Sequence, residues 1–185
     1  VNGEPMNSPI AVQVYETTIE QYLKYCRDSG VSCAQQQMAV DEGIDGTSPV
    51  TFVSWVDATQ YADWLSLQTN GNYRLPTVEE AELFTRGGTT GKYYTGDTIN
   101  ISAARFNAET FVSGASTKNN YNSNPFRLYH TVGNVREWLA EEKGEYWVSG
   151  GDFTSGNDAM VSGFKEVQDK LLEDSRTGFR LVREL

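Results

Sequence analysis

The sequence predicts one α+β domain made of a few helices, short strands and long loops. Its 185 residues are enough for one substantial core, and no long apolar run or linker divides them. Three helix starts can be recognised. The rest of the chain holds 17 glycines and many Asn, Ser and Thr residues between short β-favouring pieces, which is typical of a loop-rich domain.

Three segments begin with Ser or Thr and carry an acid or amide three residues later. This capping-box pattern satisfies the free N–H groups of a first helical turn. The segments are TIEQ from Thr18, SWVD from Ser54 and TVEE from Thr77. The predicted helices run approximately over Ile19 to Arg27, Trp55 to Leu67 and Val78 to Arg86.

The stretch YRLPTVEEAELFTRGG contains signals for both ends of the third helix. Pro76 fixes the backbone just before the helix, and Thr77 with Glu80 forms the cap. Gly87 and Gly88 end the helix where a side chain would not fit. The sequence RLPT is therefore predicted to be scaffold.

Three other pieces favour strands: AVQVYE, EYWVSGG and the terminal GFRLVREL, in which Phe179, Leu181 and Arg183 are predicted to share a face. Residues 87–129 are polar and lack periodicity. Such a long stretch needs capped turns, ions or close packing to offset the entropy cost of ordering it.

Charge and hydropathy exclude two classes of partner. A net charge of -10 and a pI near 4.6 do not attract a negatively charged phosphate backbone, so nucleic acid is not expected as a partner. No stretch approaches the roughly 20 apolar residues of a membrane span, so direct membrane insertion is not expected either. Residues 1–16 do not resemble a signal peptide. Residues 1–185 are predicted to be a single domain, and because residue 1 is Val, we expect a mature form or a piece of a longer protein.

The two cysteines, Cys26 and Cys33, flank a Ser-Gly turn in CRDSGVSC. This spacing suits a small disulfide loop, and two ordinary thiols are the main alternative. A metal site fits poorly, because zinc hairpins use a shorter spacing and the chain has one histidine. A disulfide would favour a periplasmic or extracellular location, which the sequence otherwise leaves unknown.

Five blocks in order resemble the formylglycine-generating enzyme, or sulfatase-modifying factor, family. They are PVTFVSWVDATQYADWLS, YRLPTVEEAELFTRGG, NPFRLYHTVGNVREW, VSGGDF and RTGFRLV, and the resemblance covers about residues 9–185. It implies a modified C-type-lectin-like fold with a small antiparallel sheet, few helices and long ordered loops. It also implies structural polar networks around Arg74 and Arg86, while Ala81 stands where the family usually has a tryptophan.

The residues that carry the family's chemistry are missing. Enzymes of this family hold copper(I) with two cysteines in the segment that here reads VSGGDFTSGNDAMVSGFKEVQDKLLEDSRTGFR, which has no cysteine. Related sulfoxide synthases take iron from several histidines, whereas His130 is alone and is predicted to be structural. Neither copper nor iron is expected, and the domain is predicted not to be an enzyme. The acid-rich segments EVQDKLLED and AEEK are interpreted as solvated surface.

Calcium is the one cofactor that the resemblance implies, because relatives use it to fasten their long loops. In HTVGNVREW, Gly133 and Val135 match backbone ligands and Glu137 matches a carboxylate ligand, although His130 replaces an oxygen donor. A second site would use Asn107 and the carbonyl of Ala108, but its later carboxylate, expected near residues 117–124, is replaced by Asn and Thr. The alternative is that Glu137 accepts hydrogen bonds and Asn134 caps the turn.

The predicted function is therefore a non-catalytic binding module. Its expected surface is the polar loop TSGNDAMVSG, which follows a segment predicted to be core at Trp147 and Phe153. The expected partner is a protein or peptide, with a glycan as a further candidate. The alternatives are a metal-dependent oxidase or oxygenase of the same superfamily and an architectural domain of a secretion or envelope assembly. The binding-surface residues are Asp152, Thr154, Ser155, Asn157 and Asp158.

Overall fold

The computed structural model describes residues 9–99, 101–108 and 121–185. Four α-helices, one 3-10 helix and seven short strands occur in this part of the chain. The helices are α1 (Ile19–Ser29), α2 (Ala34–Asp41), α3 (Trp55–Thr69) and α4 (Val78–Arg86), and the 3-10 helix is Asn157–Met160. The strands are β1 (Ile10–Val12), β2 (Asn72–Arg74), β3 (Arg136–Trp138), β4 (Tyr146–Ser149), β5 (Lys165–Gln168), β6 (Thr177–Gly178) and β7 (Val182–Glu184).

The strands form two small sheets. The first has the order β1-β7-β2 and is antiparallel throughout. The second has the order β5-β4-β3-β6, and only its β3–β6 pair is parallel. The C-terminal segment crosses from β6 in the second sheet to β7 in the first, which joins the two sheets around one core. This small-sheet α+β architecture agrees with the predicted fold class.

All three predicted helix starts are confirmed, with a capping box at each. Thr18, Ser54 and Thr77 accept from the backbone N–H three residues later, and the side chain of that later residue accepts from the backbone N–H of the cap. Helix α4 ends at Gly87, whose φ of 57° is left-handed. An added Cβ there would lie 2.8 Å from Cδ of Pro125, so both the conformation and the space require glycine.

The main core lies where α1 and α3 pack over the crossing C-terminal segment. Tyr22, Tyr61 and Phe179 make aromatic contacts at its centre, with ring centroids 5.4–6.4 Å apart. Phe179 and Leu181 are fully buried as predicted, but Arg183 is exposed, because the terminal strand begins only at Val182.

A second cluster lies under α4, where Val78, Ala81 and Phe84 pack against Leu139 and Val182. The predicted polar network at its edge is present. Both terminal nitrogens of Arg74 donate to Glu80, at 2.7 and 2.8 Å, and its Nε donates to Glu184 at 2.9 Å. Arg86 likewise pairs with Glu82 and donates to the carbonyl of Gly91.

Two parts of the sequence-based assignment are wrong or incomplete. Helix α2 was not predicted, because it has no side-chain cap and buries only Gln36. The segment EVQDKLLED was predicted to be solvated surface, yet it contributes to edge strand β5, where Glu166 accepts from the buried Arg136 at 2.9 Å. The partner that gives Glu166 its role lies 30 residues away, beyond the reach of a local pattern.

The two cysteines form the predicted disulfide, which joins the end of α1 to the start of α2. No helix among residues 9–99, 101–108 and 121–185 is long and apolar enough to cross a membrane.

Candidate functional site

The predicted binding surface is one loop, residues 152–158, which we call the recognition loop. It begins after Gly150 and Gly151, both left-handed, at φ of 84° and 65°. A Cβ on Gly151 would lie 2.7 Å from Cε of Met160 and 2.9 Å from Cβ of Ala159. The glycine therefore allows the loop to fold back against the 3-10 helix that follows it.

The side chain of Asp152 shapes this loop from within. Its Oδ1 accepts from the backbone N–H of Thr154 at 2.8 Å and from the Thr154 hydroxyl at 2.6 Å. Its backbone N–H donates to Ser155 Oγ at 3.0 Å. Asp152 is only 3 % exposed, so its side chain is not displayed to a partner, and its predicted place on the binding surface is corrected to a position beneath it.

A second segment, Asn107 and Ala108, lies beside the loop and is hydrogen-bonded to it; we call this segment the strap. The backbone N–H of Asn107 donates to the carbonyl of Ser155 at 3.0 Å, and that of Ala108 donates to the carbonyl of Phe153 at 2.7 Å. The Asn107 side chain also donates to Asn157 Oδ1 at 3.2 Å. Asn107 and Ala108, predicted as calcium ligands, thus lie directly beside the predicted binding surface.

The crest of the recognition loop is exposed and polar. Thr154, Asn157 and Asp158 are exposed, and Ser155 is half-buried. Phe153 below them is buried, as predicted for a core residue. Trp147 is half-buried against the α4 cluster, with Lys165 Nζ 4.8 Å from its ring centroid. The arrangement is a polar surface on a fixed apolar base.

The predicted calcium carboxylate lies in a buried polar centre. Glu137 on β3 receives two hydrogen bonds from Arg180: Nε to Oε2 at 2.7 Å and Nη2 to Oε1 at 2.6 Å. Both side chains are almost fully buried. Burial lowers the pKa of Arg180, but the carboxylate of Glu137 outweighs this effect and raises that pKa above its ordinary value. Nearby, Asn134 donates to the buried Glu16 at 2.6 Å, so it binds a side chain rather than capping the turn.

The residues around Glu137 fit calcium poorly. Both carboxylate oxygens already bind a guanidinium, whose positive charge would repel a divalent cation held at the same oxygens. Gly133 and Val135 contribute to the fold here: a Cβ on Gly133 would lie 2.3 Å from the carbonyl oxygen of Arg105. In the described part of the chain no three His, Cys, Asp or Glu residues are grouped to hold a metal. Residues 117–120, part of the second predicted site, lie outside the described residues.

His130 is 3 % exposed and its carbonyl accepts from Arg180 at 3.2 Å, which agrees with the structural role predicted for it.

Sequence reasoning missed a different feature, a furrow beside α2. Its lip carries Phe52, an aromatic residue with a left-handed φ of 54° and 40 % exposure. No local motif marks this position.

The loop-rich architecture and the glycine-based loop define a domain of the modified C-type-lectin-like class. The profile of the sulfatase-modifying factor enzyme 1-like domain matches residues 6–185, and the chain belongs to this family. Among solved structures, PvdO from Pseudomonas aeruginosa superposes with a TM-score of 0.79 at 22% identity, covering 96% of this chain and 81% of that one. CarF gives 0.77 at 24% identity, with 98% and 88% covered.

Curated relatives differ in what their names say of them. The serine/threonine-protein kinase pkn1 of Chlamydia pneumoniae is 29% identical over 70% of this chain and 22% of its own length. The formylglycine-generating enzyme of Streptomyces coelicolor is 37% identical, with coverages of 50% and 32%. An inactive Cα-formylglycine-generating enzyme 2 from Bos taurus is 32% identical, with coverages of 62% and 43%. The chain thus spans less than half the length of each, and the family includes enzymes and inactive members.

Proposed function

We propose that this domain is a non-catalytic recognition module that binds a protein or peptide through the crest of the recognition loop. The observation that carries the proposal is the construction of that loop. Asp152, the glycine pair and the strap at Asn107 and Ala108 fix its backbone, while Thr154, Asn157 and Asp158 remain exposed. A polar surface ordered before binding loses less entropy when a partner arrives.

The disulfide supports the non-catalytic part of the proposal. Cys26 and Cys33 are the only cysteines of the chain, and they are bonded to each other. No thiolate is then left for copper(I), which prefers soft sulfur ligands. The Bos taurus relative is named as inactive, so a non-catalytic member would have a precedent in the family. The disulfide also favours an oxidising compartment, periplasmic or extracellular.

The kinase relatives suggest a context for this module. Because the match covers 22% of the Chlamydia pneumoniae kinase, we propose that this domain is part of a longer protein and serves as its recognition part. The recognition loop would then bind the partner, and another part of that protein would produce the response.

Site-specific photocrosslinking in the cells that naturally produce the protein tests the proposal. A benzophenone side chain replaces Asp158 on the crest or, as a matched control, Glu145 in the turn before β4, which is also acidic and exposed. We expect a discrete crosslinked product from position 158 only, and its loss on adding Asn157→Arg. Equal products from both positions would contradict the proposal, as would stoichiometric copper or iron in the purified domain.

A further inference from the structure

A furrow runs along α2, and it consists of two adjoining cavities. The larger has a volume of 380 Å³, within the range of about 300–1,000 Å³ usual for small-ligand sites. The smaller has 240 Å³. Gln35, Gln36 and Phe52 line both, so the cavities lie next to each other. We call the pair the α2 furrow.

The larger cavity is mainly apolar. Its walls come from five parts of the chain: α2, the start of α1, the loop that leads to α3, the base of the recognition loop, and Ser175 in the loop before β6. The apolar lining residues are Ile19, Ala39, Ile44, Pro49, Phe52 and Phe153. Phe153 is the residue on which the recognition loop rests, so the furrow adjoins the proposed binding surface.

The smaller cavity is acidic. Asp57 and Glu173 line it together with Tyr22, and neither cavity is lined by a Lys or Arg among the described residues. Burial raises the pKa of Tyr22, and the charges of Asp57 and Glu173 raise it further, which is the effect of a negative potential at this end. Asp41 and Glu42, just past Ala39 on α2, place further negative charge beside the apolar end.

Hydrogen bonds hold the lip between the two cavities, at Phe52, in place. Gln36 Nε2 donates to the carbonyls of Thr51 and Phe52, at 2.9 and 3.1 Å, and the Phe52 N–H donates to the carbonyl of Asp174 at 2.8 Å. These bonds hold Phe52 in its left-handed conformation with its ring partly exposed above the furrow. An exposed apolar group over an apolar cavity is typical of a binding site.

We infer that the α2 furrow binds a partner segment in which an apolar side chain lies close to a Lys or Arg. The apolar side chain enters the larger cavity between Ala39, Ile44 and Phe153, and the cation lies at the smaller cavity near Asp57 and Glu173. A buried apolar anchor supplies affinity, and the complementary charge selects the partner. This inference rests on the proposed function and names the chemistry of its ligand.

NMR titration of ¹⁵N-labelled protein with short blocked peptides tests the inference. The probe is acetyl-Gly-Phe-Lys-Gly-amide, and the matched peptides replace Phe by Gly or Lys by Glu. We expect saturable shifts of the Gln36 side-chain amide and of the Ala39 and Ile44 backbone amides with the probe. Each matched peptide should bind at least about fivefold more weakly than the probe, because it lacks one of the two interactions.

Two variants locate the site. Ala39→Trp fills the larger cavity and should weaken the probe about tenfold or more, whereas Met38→Trp, on the exposed neighbouring position, should not. Glu173 is exposed, so Glu173→Lys should not disturb the core. It should weaken binding of the probe about fivefold, whereas Glu145→Lys should leave that binding unchanged.

Equal affinity for all three peptides, or no saturable shift at Ala39 and Ile44, would overturn the inference. If crosslinking from position 158 still captures a partner in that case, the recognition function stands and only the furrow is excluded. If the probe binds the furrow but position 158 captures nothing, the furrow is the binding site and the crest is not.

Discussion

Helices α4 and α2 have similar lengths, nine and eight residues, but are held by different means. Helix α4 has a capping box, two acids in its first turn, a left-handed glycine at its end and an apolar face against the core. Helix α2 has no side-chain cap and buries only Gln36. Its restraints are the disulfide at Cys33, the hydrogen bonds of Gln36 and the packing of the partly buried Val40 against the main core. Local sequence and an apolar face specify α4, whereas a covalent bond, one buried amide and one partly buried valine position α2.

This difference corresponds to a division of roles. The α4 side forms the scaffold, and its Phe84 ring lies 5.9 Å from the guanidinium carbon of Arg180 in the buried polar centre. The α2 side forms the wall of the furrow. A wall held by a few contacts can differ in sequence without loss of the core, which suits a surface that selects a partner.

The largest expected effect lies in the scaffold, at the buried pair beneath α4. Glu137→Gln leaves the fully buried Arg180 without its bidentate counter-charge, and we expect a loss of about 3–5 kcal/mol in the free energy of unfolding. Urea denaturation measures the loss. The control is Glu166→Gln, because that carboxylate also pairs with a buried arginine but is 40% exposed, so about 1 kcal/mol or less is expected. Similar losses in the two variants would show that the buried centre does not dominate the scaffold.

The second effect separates the two helices. Replacing both cysteines by Ser releases a short loop, and the loop-entropy estimate gives a loss of about 2–3 kcal/mol. Hydrogen exchange should show the loss of protection mainly in α2, because α4 keeps its own cap and core contacts. A reducing agent should have no effect on the double variant. Unchanged protection of α2 would mean that Gln36 and the packing of Val40 hold the furrow wall without the disulfide.

The same contrast explains which features the sequence predicts. The capping boxes at Thr18, Ser54 and Thr77 act within four residues, so they could be recognised without a structure. The composition of α2, rich in Ala, Gln and Met, is compatible with a helix, but it lacks a start signal and an apolar stripe. Its position depends on Gln36 reaching carbonyls 15 and 16 residues away.

The candidate site was predictable to a smaller extent for the same reason. The glycine pair and the polar crest are visible in the sequence. The burial of Asp152 is not, because the contacts that enclose it come from distant segments. Strand β3 gives no alternating pattern, since Arg136 and Glu137 are both buried against charged partners at residues 166, 174 and 180. The larger cavity of the furrow is lined by five segments, so it has no local signature.

The smallest expected effect tests whether α4 also depends on charge. Burial opposes ionisation of Glu80, but hydrogen bonds from Arg74 and from the Thr77 N–H lower its pKa below the ordinary value of 4.5. Because the folded-state pKa is the lower one, this stabilisation is complete above about pH 4.5 and is lost as the pH falls through the folded-state value. Glu80→Gln should therefore cost about 1 kcal/mol at pH 7, and the difference from the wild type should shrink towards pH 3.

Glu79→Gln is the matched control for this effect, because Glu79 lies in the same first turn but is exposed. It removes the same charge near the helix N-terminus, so it reports the contribution of the helix dipole alone. Chemical denaturation of both variants at pH 7 and at pH 3 separates the two contributions. An equal cost for the two variants at pH 7 would mean that the Arg74–Glu80 pair adds nothing to the cap. Helix α4 would then be stabilised by its hydroxyl cap and its apolar face alone. Its stability would not depend on the ion pair with Arg74.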